Sequence, residues 1–232
     1  MRAEFAHAFA DVPVVACFLH RSYYLSYGTA AAPAPGSDAG WKRPASRSFF
    51  SLDTEGRVIR FDSFSKILSS GLRLGMVTGP KAFLARMDLM SQASTLHVSG
   101  VSQMMVSKLL AHWGTKGWND HINRVCLFYA RRRDVFVSLV EKHLKGLVEY
   151  TVPEAGMFVY FKLPGVVDSK KLVESKALEA KVIMVPGQAF SPNDQQSNAV
   201  RAAFSVASDE EMDLALQRLA TLLKNEQKLS KL

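Results

Sequence analysis

The chain has 232 residues, 48% apolar and 22% charged, a balance that excludes a disordered polymer and supplies one good core or two modest ones. Its formal net charge of +8 favours anionic partners in general, but the basic residues are scattered apart from Arg131-Arg132-Arg133 and the tail lysines. No groove-reading motif accompanies them, so no nucleic-acid partner is expected, and no apolar run reaches the length of a membrane span.

Residues 1–19 carry an early arginine and an apolar stretch over 12–19. Glu4 and Asp11 precede that stretch and no clean cleavage site follows it, which makes a weak signal or transit peptide. The stretch itself predicts a buried strand. Residues 29–48, rich in Ala, Pro and Gly, predict a flexible loop. Residues 49–52 and 57–61 predict two short strands joined by a turn at Asp53-Thr54-Glu55-Gly56. The second strand would deliver residues 62–66 to its carboxyl end, where ligands bind in α/β sheets.

From Pro80 the apolar spacing becomes helical. Ala82, Leu84, Ala85, Met87, Leu89 and Met90 predict one helix, and Val101, Met104, Met105, Leu109 and Leu110 another. The methionine-rich face of these segments is read as core. A third helix is predicted over 118–143, with Ile122, Val125, Phe128, Tyr129, Val135 and Leu139 as its apolar stripe. Residues 156–163 alternate like a strand, and Asp168 or Ser169 can cap a helix running to Ala180. Residues 182–185 and 200–206 predict strands. Ser208-Asp209-Glu210-Glu211 reads as a capping box before a final helix with Met212, Leu216, Leu219 and Leu223 on one face.

Two positions point to chemistry. Lys66 lies in Asp62-Ser63-Phe64-Ser65-Lys66-Ile67-Leu68-Ser69-Ser70-Gly71-Leu72-Arg73-Leu74-Gly75. A solvated lysine at a strand end is one reading. The other is a pyridoxal-phosphate (PLP) anchor: the amine forms a Schiff base with the cofactor aldehyde, while Ser63, Ser65 and the Arg73 fork hold its phosphate. Arg201 shares a strand face with Ala203 and Ser205, which reads either as an edge arginine on the surface or as a clamp on a substrate carboxylate. Tyr23 and Tyr24 could bond a cofactor's phenolic oxygen or simply pack. His20, His97, His112, His121 and His143 read as helix-surface or capping residues, because no ligand spacing links them. Cys17 and Cys126 match no metal or redox spacing and imply a reducing compartment.

The run from Ser63 to Gly75 resembles the cofactor-lysine motif of the fold type I aminotransferases, and within them the kynurenine/α-aminoadipate group. The resemblance continues through Ser94-Thr95-Leu96-His97, Pro153-Glu154-Ala155-Gly156-Met157-Phe158, Val185-Pro186-Gly187-Gln188-Ala189-Phe190 and Val200-Arg201-Ala202-Ala203-Phe204-Ser205. These motifs stand in the family's order and cover about residues 49–227. The fold it implies is α/β: part of a PLP-transferase large domain plus a C-terminal α+β small domain. The division would be residues 1–48 as a divergent segment, 49–140 as the partial large domain and connecting helix, and 141–232 as the small domain.

The activity implied is reversible amino transfer between an amino acid of kynurenine, α-aminoadipate or aromatic type and a 2-oxo acid. Lys66 would be the catalytic lysine, Ser63, Ser65 and Arg73 the phosphate ligands, Tyr24 a contact to the phenolic oxygen, and Arg201 the ligand of the substrate α-carboxylate. A homodimer in the cytoplasm or mitochondrion would follow. The departures are at the start of the chain. Family members are longer there, and Arg21 stands where an aspartate pairs with the pyridine nitrogen. Residues 1–19 and 28–48 match nothing in the pattern; the latter reads as an insertion or a splicing or gene-model artefact. A truncated, inactive paralogue is therefore the alternative. An aminotransferase-like transcription regulator is a weaker one, since no helix-turn-helix fits before residue 49.

Overall fold

The computed structural model describes residues 15–17, 25–37, 40–45 and 47–229. Tyr23, Tyr24 and Arg21, together with most of the apolar stretch near the start, lie outside them. The chain divides into two compact units. The first takes its described residues from Met1–Ser26 and Lys42–Cys126, and the second from Tyr27–Trp41 and Leu127–Leu232.

The first unit holds a three-stranded sheet of β1 (Val15–Cys17), β2 (Val58–Ser63) and β3 (Gly75–Thr78). β1 runs parallel to β2, with Ala16 opposite Ile59, and β3 runs antiparallel, with Gly75 opposite Ser63. The predicted strand over 49–52 is instead a 3-10 turn, Phe49–Leu52. The buried Ser48 hydroxyl takes the Ser51 amide at 3.2 Å, which offers that backbone a partner no strand neighbour supplies. The turn over 53–56 forms as expected. Asp53 accepts the amides of Glu55, Arg57 and Val58 at 3.2, 3.1 and 2.9 Å, and those bonds hold its carboxyl below the usual range.

Helix α1 spans Lys81–Ser94 and buries none of its residues. The helical run α2, Gly100–His143, joins two predicted helices across a non-helical residue, Gly114. Leu89, Val101, Met104 and Met105 are more than half exposed, so the methionine-rich face read as core is open among the described residues. The apolar stripe on α2 is also displaced. Phe128 is exposed, and the buried line runs Ile122, Cys126, Leu127, Ala130, Arg133, Phe136 and Val140. Counting only hydrophobes skips Arg133, whose side chain is 1% exposed. Burial at Cys126 pushes its thiol up to about 12, so it is an inert core thiol.

In the second unit β4 (Phe158–Lys162), β5 (Val185–Pro186) and β6 (Ala199–Ala203) form an antiparallel sheet in the order β4-β6-β5. Val159, Phe161, Val200 and Phe204 face inward, and Phe136 packs on the rings of Phe161 and Phe204. Helix α3, Ser169–Leu172, continues through a π turn at Val173–Ala177. Asp168 caps it by accepting the Lys170 and Lys171 amides. Of the strand predicted over 182–185 only Val185 remains, because Lys181 takes a φ of 59° and the Val182 amide returns to the helix at Ala177. β6 ends at Ala203, short of the predicted strand end, and Val206 is 91% exposed.

The last helix, α4 (Asp209–Leu229), buries Met212, Leu216, Leu219 and Leu223 as the spacing predicts. Its capping box is formed in both directions: Glu211 N donates to Ser208 Oγ at 3.2 Å, and Ser208 N donates to Glu211 Oε2 at 2.7 Å. Ser208→Ala is expected to cost ~1 kcal/mol of stability, read as a lower urea midpoint at unchanged slope.

The arginine triplet turns inward. Arg133 donates to the carbonyls of Gly28 (2.9 Å), Ala30 (2.8 Å) and Pro153 (3.1 Å), pairs with Asp134 at 2.6 Å, and lies over the Tyr27 ring. Arg131 donates to Pro33 O and Ala34 O, and Asp134 takes the Ala32 amide at 2.7 Å. Arg132 donates to the carbonyls of Phe204 and Ala207. The Ala/Pro stretch read as a flexible loop is thereby stitched, over residues 28–34, to the helix that carries the triplet.

Candidate functional site

The Lys66 segment is built from two consecutive 3-10 turns, Phe64–Lys66 and Ser70–Leu72. β2 ends at Ser63, whose hydroxyl accepts the Ser65 amide at 3.2 Å and donates to Ser65 Oγ at 3.0 Å. Phe64 is buried, takes the Ile67 and Leu68 amides on its carbonyl, and sets its ring edge-on to Trp118. Lys66 is therefore flanked by two buried anchors, Phe64 and Ile67, while it stays half-exposed itself.

The second turn is capped by Ser69, which accepts the Gly71 amide at 3.3 Å. It is closed by Arg73 in the left-handed region, φ 49° and ψ 35°. A non-glycine residue there is uncommon, and it reverses the chain so that Leu74 O can accept the Phe64 amide at 3.1 Å. A Cβ at Gly75 would lie 2.7 Å from Asp62 O, so only glycine lets β3 close against the end of β2. Ser63, Ser65, Lys66 and Arg73 thus all lie on the connection between β2 and β3, with Arg73 exposed and its guanidinium donating to Ser70 O at 3.2 Å. Asp62, the nearest carboxylate in sequence, is buried and held by Arg60 at 2.7 and 3.0 Å, which neutralises it. Hydroxyl donors, a guanidinium and a primary amine in one short segment suit a tetrahedral oxyanion next to a carbonyl-reactive nitrogen.

Arg201 lies in the second unit, opposite Tyr160 on β4 and Val185 on β5. Its guanidinium carbon is 4.2 Å from the Phe158 ring centre and 4.8 Å from that of Phe190. The open polar face expected around it is aromatic instead, because the cross-strand neighbours are Phe158 and Tyr160, which the alternation of a single strand cannot show. Phe190 is delivered by the tight turn Gly187–Phe190. A Cβ at Gly187 would lie 2.5 Å from Ser197 Oγ and 2.6 Å from the Tyr160 hydroxyl, so that turn requires glycine. Two rings at 4.2 and 4.8 Å hold the guanidinium by cation–π attraction. Its Nε is buried and has no hydrogen-bond partner among the described residues. A cavity of ≈ 620 Å³ lies against Phe158, Tyr160 and Lys162, and one of ≈ 220 Å³ against Tyr160, Gly187 and Phe190.

Of the predicted site residues, Lys66, Ser63, Ser65 and Arg73 are assembled in the first unit, Arg201 stands in the second, and Tyr24 lies outside the described residues. Phe158 and Phe190 carried no individual role in the sequence reading. Nor did His121, which is no mere surface residue: its Nε2 is 2.6 Å from Ile67 O, beside Lys66. The sequence signal for His121 is the pair of glycines, Gly114 and Gly117, in an otherwise helical stretch.

Comparison with known proteins gives the family. The family model "Aminotransferase class I and II" matches residues 27–219. The chain is 46% identical over 184 residues to the mitochondrial kynurenine/alpha-aminoadipate aminotransferase of Rattus norvegicus, covering 79% of this chain and 43% of that protein. Among solved structures it is similar to the Pyrococcus horikoshii kynurenine aminotransferase complexed with PMP. The TM-score is 0.79 at 28% identity, covering 96% of this chain and 50% of that one. It is also similar to LysN, the alpha-aminoadipate aminotransferase of Thermus thermophilus, complexed with N-(5'-phosphopyridoxyl)-L-leucine. There the TM-score is 0.77 at 27% identity, over 97% of this chain and 53% of that one. The chain spans less than half the length of the rat protein it matches. With the matched region running through both the lysine turn and the arginine strand, the chain belongs to the aminotransferase class I and II family.

Proposed function

We propose that this chain carries the cofactor lysine and the substrate-carboxylate arginine of a PLP-dependent aminotransferase. The reaction is reversible amino transfer between an amino acid of kynurenine, α-aminoadipate or aromatic type and a 2-oxo acid. The observation that carries the reading is the pair of consecutive turns that holds Ser63, Ser65, Lys66 and Arg73 in one short segment between two strands of the sheet. Pyridoxal phosphate, when bound, supplies an electron-withdrawing ring that stabilises negative charge at the substrate α-carbon. Ser63 and Ser65 donate hydroxyls to its phosphate, and Arg73 adds charge and a planar fork. Lys66 would hold the cofactor at its aldehyde, and its amine, once released, would take and return the proton at the substrate α-carbon. Arg201, held against Phe158 and Phe190, would receive the α-carboxylate and so orient the amino acid. The names of the relatives support the donor class.

For the whole protein we infer a homodimer, supported by the exposed apolar side chains Leu89, Val101, Met104 and Met105. We infer a cytoplasmic or mitochondrial location, supported by the mitochondrial rat relative. No helix among the described residues is long and apolar enough to cross a membrane.

Borohydride treatment of the purified chain with added pyridoxal phosphate tests the reading. A phosphopyridoxyl mass on the peptide containing Lys66, lost in Lys66→Ala, is the expected result. Labelling spread evenly over surface lysines, and unchanged in Lys66→Ala, would sink it.

A further inference from the structure

We propose that His121 is a positioning residue for Lys66, acting through the carbonyl of Ile67. As a statement about function this rests on the reading of Lys66 as the cofactor-bearing amine; as a statement about geometry it stands alone.

Ile67 follows Lys66 directly and leaves a 3-10 turn whose Phe64 carbonyl already accepts the Ile67 and Leu68 amides. The chain then turns extended at Ser69, φ −154°, so no continuing helix supplies an amide for Ile67 O. His121 supplies the donor from 54 residues away, at 2.6 Å. A carbonyl only accepts, so Nε2 carries the hydrogen in this bond.

The ring is itself held. Trp113 stacks on it with centroids 4.8 Å apart and planes 28° apart, and the Trp118 ring lies 6.3 Å away. In an unbroken helix, residues eight apart are separated by about 12 Å along the axis and cannot stack. Gly114 makes the contact feasible. Its φ of 57° with ψ of −171° is a conformation essentially reserved for glycine. Gly117 completes the arrangement, since a Cβ there would lie 2.9 Å from Trp113 Cβ. The same stretch also reaches the other side of Lys66, because Trp118 packs edge-on against Phe64 at 6.3 Å. The helix break and its two glycines thus grip both buried neighbours of Lys66: Phe64 through Trp118, and Ile67 through His121. An amine that must meet one carbon and then move one proton needs its backbone fixed in this way.

Hydrogen exchange on the 232-residue chain decides the point without any ligand. In His121→Leu the amides of residues 64–68 are expected to exchange about tenfold faster, while peptides of the second unit keep their wild-type rate. His121→Gln, whose side-chain amide can donate to the same carbonyl, is expected to restore protection. Should His121→Leu unfold the first unit, Trp113→Leu and His121→Gln carry the comparison: the former should loosen residues 64–68 and the latter should not. Unchanged exchange over 64–68 in His121→Leu, or in Trp113→Leu where the leucine variant at 121 is unfolded, would overturn the proposal. Borohydride trapping on the same variants separates the two ideas. Faster exchange with no wild-type labelling at Lys66 supports the His121 contact and sinks the cofactor reading. Labelling at Lys66 that falls in His121→Leu and recovers in His121→Gln supports both.

Discussion

Lys66→Ala is expected to lower amino transfer by the whole protein by a factor of about 10²–10⁴ or more, the range for losing a positioned acid/base group. The loss should appear in kcat. The substrate carboxylate is assigned to Arg201, on a different sheet, so KM for the amino acid should move far less. Lys66→Arg is expected to fail equally, because a guanidinium stays protonated and presents no nucleophilic nitrogen. Steady-state rates with kynurenine and α-aminoadipate as donors check this. A Lys66→Ala enzyme working within a few-fold of wild type would show that the proton moves by another route. It would also leave the double turn over residues 64–72 without a catalytic reason for its tight build.

Arg133→Met is expected to cost about 3–5 kcal/mol of stability. Arg133 has the bulk of a core residue and lies on the buried line of α2, so methionine fits the volume but serves none of the acceptors. Three carbonyls, those of Gly28, Ala30 and Pro153, lose their donor together, and the Asp134 carboxylate loses its closest cation. A carbonyl left dry and unpaired costs ~1–3 kcal/mol, and water reaching the half-buried Gly28 and Pro153 and the exposed Ala30 lowers that figure for each. Water reaching the partly exposed Asp134 lessens the sum. Arg133→Lys keeps the charge but only part of the fork, and should fall between the two. Urea unfolding of the three proteins gives the order. A methionine variant within ~1 kcal/mol of wild type, the scale of a single neutral hydrogen bond, would mean that solvent satisfies these carbonyls.

The sequence made the local devices readable. A hydroxyl followed three residues later by glutamate marked the start of α4, Asp168 marked that of α3, and the four-and-three spacing from Met212 to Leu223 marked a buried face. Lys66, its hydroxyls and Arg73 could be proposed together because all of them lie within one short segment. What stayed hidden depends on distant partners. Arg133 read only as part of a basic cluster because two of its acceptors, Gly28 and Ala30, are 105 and 103 residues upstream. The rings around Arg201 belong to a neighbouring strand and a later turn. The segment 49–52 has strand composition but no strand to pair with, and Ser48 captured it as a turn. The methionines near the start of α2 have core chemistry, yet nothing among the described residues covers them.

The stitching of residues 28–34 by Arg131, Arg133 and Asp134 also sets an order of assembly. These bonds close loops of 97–105 residues. During synthesis the Ala/Pro segment leaves the ribosome long before its arginines exist, at about 5–20 residues per second, so it waits for several seconds without its partners. Side chains no larger than Pro and Thr over residues 28–34 make that wait safe, because the segment offers no large apolar group to aggregate. The Lys66 segment, whose longest bond described above spans 54 residues, can close earlier. The second unit, whose stitching bonds span 97–105 residues, is then the slower one to complete.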